Sequence, residues 1–532
     1  MITKIIKLAH GLLFLLCVSI SLHAQPELDI SFKGTGRVTS DFGQGTGYMA
    51  AAVVQPDNKI VGIGRWLSSS FVLHIALTRY NEDGTPDTSF GSQGRVVQPG
   101  GVGNAGAIQP DGRIIVAGVT SGQTPGVSNI LVARYNPDGS PDTTFGSGGR
   151  VLYAFVQNAN EAKAVAVGPD GSIAVAAYYM TPTNSQTVVV KLNSAGVVQW
   201  ATADIRGSNL NDQNLPTSIA FQADGKIVTS GCFLPAGSQS GPVTFARYNT
   251  DGSPDITFGA QGRLLFSSSS EYIAAIAVQP DGRILGAGHA GVDIMVMRMW
   301  GNGMLDISFS DDGRATASIP VSASASSLVI RPNGKIVAAG VAGEGFAVAA
   351  FKADGMPDTS FSGDGALRFT FPEFPSGATS AGLDHLGRIV LGGVANSKFA
   401  AARLYTLDPV PVTVTGQTVT MEGTPLRNIR VGLTNQDGQT RWAITSAFGY
   451  FVFDNVPTGQ TYTLFVRGSK HYSFETRDFG VNEATDNLTL IGNPIGPKPS
   501  GDSLNERKNI SGESESVSRS MKRRTGPFKS IY

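Results

Sequence analysis

One five-residue phrase returns along the chain and limits the folds open to it. Pro86-Asp87-Thr88-Ser89-Phe90 recurs as Pro141-Asp142-Thr143-Thr144-Phe145, Pro254-Asp255-Ile256-Thr257-Phe258 and Pro357-Asp358-Thr359-Ser360-Phe361. Leu28-Asp29-Ile30-Ser31-Phe32 and Leu305-Asp306-Ile307-Ser308-Phe309 are close variants, and Val197-Val198-Gln199-Trp200 is a degenerate copy that keeps the aromatic. Subtracting successive aromatic positions gives spacings of 58, 55, 55, 58, 51 and 52 residues. A second marker counts independently. Turns at Asp57-Asn58, Asp111-Gly112, Asp170-Gly171, Asp224-Gly225, Asp281-Gly282, Asn333-Gly334 and Leu386-Gly387 are each followed by a β-branched run. That run ends on a small residue: Gly64, Gly118, Ala177, Gly231, Gly288, Gly340 and Gly393. Both markers count seven.

Each repeat reads as four short strands. Arg95-Val96-Val97 follows the aromatic, and Ala274 to Gln279 alternates up to a turn. Asp-Gly readily adopts the positive φ of a tight hairpin. Lys226 to Gly231 and Phe245 to Asn249 complete the set. No repeat carries a 3.6-residue apolar period, so helix is not expected. Four strands in roughly 50 residues match the unit of a β-propeller, which buries both sheet faces by packing blades around a ring. Seven units predict seven blades. The strand nearest the axis and the mode of closure stay open. Glycine is 66 of 532 residues, about 12% against a usual ~7%. Its recurrence at turn and strand positions points to close packing near the axis. The longer phrase Arg134-Tyr135-Asn136-Pro137-Asp138-Gly139-Ser140-Pro141-Asp142-Thr143-Thr144-Phe145-Gly146 resembles the bacterial delta-60 repeat family. The resemblance covers about residues 27–408. It implies a β-propeller of undetermined function and supplies no catalytic residues.

After Pro409 and Pro411 the pattern changes. Val412 to Gly416, Ile429 to Leu433, Thr445 to Phe453 and Tyr462 to Val466 alternate apolar and polar residues, with turns about every ten residues. This reads as a small β-sandwich. Thr445 to Phe453, with Gly459 and Tyr462 behind it, resembles the carboxypeptidase regulatory-like domain over about residues 411–492. That resemblance implies a non-catalytic transthyretin-like sandwich, a spacer or binding module. The expected fold is therefore all-β: a seven-bladed propeller plus a small sandwich.

The ends differ. Lys4 and Lys7, the apolar run Gly11–Ile20 and the Leu22-His23-Ala24 site before Gln25 read as a signal peptide over residues 1–24. The run is too short for a membrane span of ~20 apolar residues, and Cys17 lies inside it. Removing it takes two lysines, so 39 basic residues face 41 acidic ones, a net charge of about −2. Residues 493–532, rich in Ser and charge, read as a disordered tail. Export implies a secreted or envelope location. A neutral balance without a basic patch argues against nucleic acid, whose binding rests on neutralising phosphates. No transmembrane segment, disulfide or oligomer is expected, and Cys232 alone reads as a core thiol.

Candidate chemistry is sparse. His74, His289, His385 and His471 are scattered without metal-ligand spacing. Asn136, Asp138 and Asp142, like Asn249, Asp251 and Asp255, could hold Ca²⁺, but turn fixing by Asp side chains is the favoured reading. Basic residues precede each turn at Arg79, Arg134, Lys191, Arg247, Arg298 and Arg403, with Ala350 the exception. They read as partners of a local Asp rather than an anion-binding ring. Gly101 to Gly106 formally matches a dinucleotide fingerprint but opens no helix. No catalytic, cofactor or metal residues are assigned. The departures worth inspecting are His289, Tyr178-Tyr179-Met180 and the stretch Asp204–Gln213. The expected function is a non-catalytic exported protein, not an enzyme, whose propeller loops recognise a glycan or protein ligand. The alternative is a secreted propeller enzyme, a lyase or glycosidase, acting on polysaccharide.

Overall fold

The computed structural model describes residues 28–495, except 122–125, 157, 182, 207–210, 239, 268–269, 406–410, 436–438, 458–459, 468 and 482–484. The proposed signal peptide lies outside the described residues, as does the proposed tail beyond residue 495; Asn493 and Pro494, placed in that tail, instead end the strand Thr485–Pro494. All regular structure among these residues is strand. The chain divides into two units with the main boundary at Thr413/Val414.

In the first unit the strands group into seven antiparallel blades of four, of which the third and fourth are joined into one eight-stranded sheet by a single parallel pairing, Ser185–Gln213. Blade one is Gly45–Val54, Ile60–Ser68, Leu73–Tyr80 and Arg95–Pro99, and the pattern repeats through blade six, which ends at Ala366–Phe369. Blade seven takes Ser376–Leu383, Ile389–Ala395 and Lys398–Leu404, then borrows Arg37–Ser40 from the start of the chain as its outer strand. The first strand of each blade touches the first strands of both neighbours in a closed cycle. That strand is therefore innermost, and the ring is closed by an N-terminal strand. Structural blades are one strand out of phase with the sequence repeat, because the short strand after each aromatic belongs to the preceding sheet.

Strand direction sorts the connections. The turns from first to second strand and from third to fourth lie at one end of every blade. The remaining loops, including those between blades, lie at the other end, here called the mouth. The repeated phrase builds the first end. Arg134 Nε donates to Asp142 Oδ2 at 2.7 Å, and its guanidinium lies 4.6 Å from the Phe145 ring centroid. A second cation, Arg113, reaches the same carboxylate at 3.1 Å, while Asp142 Oδ1 accepts Thr144 N–H and O–H at 3.1 and 2.6 Å. Arg134 Nη1 then donates to Ser194 O of the next blade. Arg79–Asp87–Phe90, Arg247–Asp255–Phe258, Arg298–Asp306–Phe309 and the ring-closing Arg403–Asp29–Phe32 repeat this rivet. Each aromatic is also capped by the next blade's turn: a Cβ on Gly139 would sit 2.8 Å from the Phe90 ring. Ala350 is tolerated because Lys335 alone holds Asp358 at 2.8 Å.

The recurring small residue has a different cause. Every innermost strand carries a β-bulge at one level, between Met49/Ala51, Gly103/Ala105, Ala162/Ala164, Pro216/Ser218, Ile273/Ala275, Ala325/Ser327 and Ala378/Ser380. A bulge bends the strand and crowds its partner. The small residue pairs with the bulge, and at Gly288 a Cβ would lie 1.8 Å from Tyr272 O. Gly101 to Gly106 run into the innermost strand Val102–Ile108 rather than a helix, so they cradle no dinucleotide.

The second unit has two four-stranded sheets. One is ordered Tyr450–Pro457, Pro411–Thr420, Thr485–Pro494, Tyr472–Phe474, the other Thr440–Ile444, Arg430–Thr434, Gln460–Val466, Arg477–Val481. Alternation sets the core: Phe451 and Phe453 are buried, whereas Tyr450 and Val452 between them are exposed.

Candidate functional site

With one end of the propeller committed to rivets, the mouth is where the blades differ. Directly above each bulge the innermost and second strands present one cross-strand pair. Around the ring these are Tyr48–Arg65, Val102–Val119, Glu161–Tyr178, Leu215–Cys232, Tyr272–His289, Ser324–Val341 and Gly377–Val394. Facing cross-strand side chains interact directly, and three of these pairs do so through polar or aromatic groups. Arg65 lies 4.5 Å from the Tyr48 ring centroid. Tyr178 O–H donates to Glu161 Oε2 at 2.7 Å. The Tyr272 and His289 rings stack at 5.6 Å and 26°.

A cleft of about 600 Å³ opens between blades three and five. Its volume falls within the ~300–1,000 Å³ of small-molecule sites. Blade four supplies a low floor with Leu215, Thr217 and Cys232, blade five a wall with Glu271, Tyr272 and His289, and Lys163 of blade three the rim. His289 Nδ1 is 3.1 Å from Ser324 Oγ of blade six, and burial lowers its pKa, so the imidazole is neutral at pH 7. Burial raises the Tyr272 and Cys232 pKa values, leaving both protonated. Glu271 is paired with Arg314 at 3.1 Å. The cleft thus offers a stacked aromatic platform, hydroxyls and two paired carboxylates, Glu271 in it and Glu161 beside it.

The structure brings together two of the three departures singled out in the sequence. His289 lines the cleft, and Tyr178 stands beside its rim. Asp204–Gln213 belongs to the fold instead. Blade three lacks the usual rivet, and Asp204 and Arg206 are buried and paired at 2.8 Å. Arg206 Nη2 donates to Phe245 O of blade four, and Arg263 Nε lies 2.8 Å from Asp204 Oδ1. Residues 207–210 lie outside the described residues. The acidic turns are likewise occupied: Asp138 Oδ1 accepts Ser140 N–H and O–H, and Asp142 both arginines. Among the described residues no three His, Cys, Asp or Glu cluster as metal ligands. Of the basic residues, all but Lys191 and the Ala350 position form rivets. Glu161, Tyr272 and Arg65 were missed. The signal for Arg65 is the residue just after each recurring small one, read across blades: Arg65, Val119, Tyr178, Cys232, His289, Val341 and Val394. Glu161 and Tyr272 are the cross-strand partners of two of these, Tyr178 and His289.

Among known proteins, a propeller family model described as a domain of unknown function, DUF5122, matches residues 55–90, 109–145, 222–258 and 331–361. The carboxypeptidase regulatory-like model matches residues 413–490. No curated protein matches the chain. The polysaccharide lyase Uly1 is similar at 12% identity and a TM-score of 0.40, over 69% of this chain and 94% of its own. A PL25 ulvan lyase is similar at 10% identity and 0.41, over 70% and 98%. The α-L-arabinofuranosidase Arb93A from Fusarium graminearum is similar at 11% and 0.35, over 72% and 96%. Enzymes stand among these similar structures, so the expectation that this chain is not an enzyme is withdrawn. It had rested on finding no catalytic residue types close together in sequence, whereas the ring gathers Tyr, His, Glu and Lys from separate blades. No helix of the described residues is long and apolar enough to cross a membrane. The chain carries DUF5122 β-propeller repeats followed by a carboxypeptidase regulatory-like domain.

Proposed function

We propose that this is an exported protein whose propeller, residues 27–408, binds a glycan in the cleft at the mouth, with the sandwich, residues 411–492, as spacer or second binding module. The observation that carries the reading is the Tyr272–His289 stack beside a floor of hydroxyl-bearing and small residues. Sugar rings present one apolar C–H face and a rim of hydroxyls. A flat aromatic surface takes the first, and Thr217, Ser270 and the backbone at Ser240-Gly241 meet the second. Export is supported by the N-terminal residues Lys4 to Ala24, and a location outside the cytoplasm suits a polysaccharide ligand. The test is a glycan array followed by calorimetric titration of the mature protein and its Tyr272→Ala and His289→Ala variants. Saturable binding weakened at least tenfold in both variants supports the assignment. Full binding by both would move the site elsewhere.

A second reading, an enzyme acting on polysaccharide, is favoured by one observation. His289 lines the cleft with its ring stacked on Tyr272, and burial lowers its pKa so that the imidazole is neutral, the protonation state of a general base at pH 7. Release of new chain ends from a bound polysaccharide, lost in His289→Ala, would establish it.

A further inference from the structure

We propose that the saccharide is acidic and that its carboxylate or sulfate group is received by Lys163 and Arg65. This rests on the cleft being the glycan site. The charges at the mouth do not balance locally. The Glu161 carboxylate is already satisfied by three donors. Lys163 Nζ and Asn104 Nδ2 donate to Oε1 at 2.7 and 2.8 Å, and Tyr178 O–H donates to Oε2 at 2.7 Å. Glu161 is thus a fixed anion that needs no further cation.

Lys163 is exposed on the cleft rim, and its ammonium lies 5.3 Å from the Tyr178 ring centroid. An ammonium has three N–H groups, and Glu161 takes one. Arg65 stands on Tyr48 and donates to Asn104 Oδ1 at 3.4 Å. No carboxylate among the described residues comes within ion-pair distance of it, whereas the rivet arginines are all paired. On the opposite wall Glu271 cancels Arg314. His289 is neutral. The bonded group Arg65–Asn104–Glu161–Lys163 therefore carries two cations against one shared carboxylate, in a chain with formal net charge zero. Arg65, Asn104, Glu161 and Lys163 hold one another in a single hydrogen-bonded chain, so little side-chain freedom is lost on binding. An unbalanced, pre-positioned positive charge beside an aromatic platform fits an acidic sugar better than a neutral one.

The test titrates the mature full chain calorimetrically with tetragalacturonate, its methyl ester and a sulfated galactan tetrasaccharide. The expected result is about tenfold tighter binding of an acidic oligomer than of the ester, shrinking as salt screens the charges. The preference should fall below twofold in Lys163→Gln/Arg65→Gln. Whichever of uronate or sulfate binds tighter identifies the anion. Equal binding of acid and ester, or a preference that survives in the double variant, overturns the proposal and leaves the glycan site standing. Absence of binding by all three, and by every glycan on a neutral array, overturns the glycan site itself.

Discussion

Replacing Asp142 with alanine should cost the propeller more than replacing Arg134, although the two form one ion pair. Both side chains are 5% exposed. Removing Asp142 leaves the Arg134 guanidinium buried without a counter-charge, and breaking a buried pair this way costs about 3–5 kcal/mol. Removing Arg134 leaves Asp142 with Arg113 at 3.1 Å and with two donors from Thr144. Blade six already lives in that state, with Ala350 in the arginine position and Lys335 on Asp358. What Arg134→Ala forfeits is the contact with Phe145 and the bond to Ser194 O, about 1–2 kcal/mol. Domains are stable by only ~5–15 kcal/mol, so the first variant should unfold near ambient temperature and the second should not. Equilibrium unfolding in guanidinium followed by tryptophan fluorescence separates them, since Trp200 sits where blades three and four meet. An Arg134→Ala loss equal to or larger than that of Asp142→Ala would refute the claim that the carboxylate is the centre of the rivet.

Four further outcomes follow from the same geometry. Deleting residues up to Ser40 removes the closing strand together with Asp29 and Phe32, leaving Arg403 with only the distant Asp384 carboxylate at 4.0 Å; the ring should lose cooperative unfolding and expand in small-angle scattering. Gly118→Ala puts a Cβ 1.8 Å from Val102 O and should cost about 1–3 kcal/mol as the backbone shifts, read as a lower denaturation midpoint. Asp29, Asp87, Asp142, Asp255, Asp306 and Asp358 all have folded pKa values below the ordinary 3.8. For each, burial works upward and the hydrogen bonds and cations outweigh it. Their stabilisation is complete above about pH 5, where unfolded carboxylates are ionised, and is lost as pH falls through the folded values; a melting temperature that instead drops between pH 5 and 8 contradicts this. Millimolar Ca²⁺ or EDTA should leave the melting temperature unchanged, because the turn carboxylates are already bonded.

The architecture was legible because every blade solves the same problem with the same residues. A buried Arg needs a carboxylate, a face to lie on and a carbonyl to cross to, so Arg, Asp, Phe and the turn Gly recur at fixed offsets. The bulge crowds the residue opposite it, so a small one recurs seven positions after each turn, Gly in six blades and Ala177 in blade three. Phase was not legible, since the closing strand Arg37–Ser40 looks in sequence like the start of the first repeat. The mouth hid for the opposite reason. Its pairs share a position but not a chemistry: Arg65 meets an aromatic, Tyr178 a carboxylate, His289 a tyrosine.

Departure from the repeat is therefore an ambiguous signal, and burial resolves it. Asp204 and Arg206 depart because blade three has lost its rivet, and they are buried at 4% and 7% exposure, bonded to blade four. Lys163 and Tyr178 depart at the level of the bulges, where the fold asks only that the partner strand be small. Lys163 is exposed and Tyr178 half-buried. A repair must be buried to stabilise, whereas a contact must stay open to be met. Four of the seven positions after the small residue are not aliphatic, and three of those four fall in consecutive blades around the one cleft. Packing gives no reason for that clustering, since the valines of blades two, six and seven satisfy the same backbone.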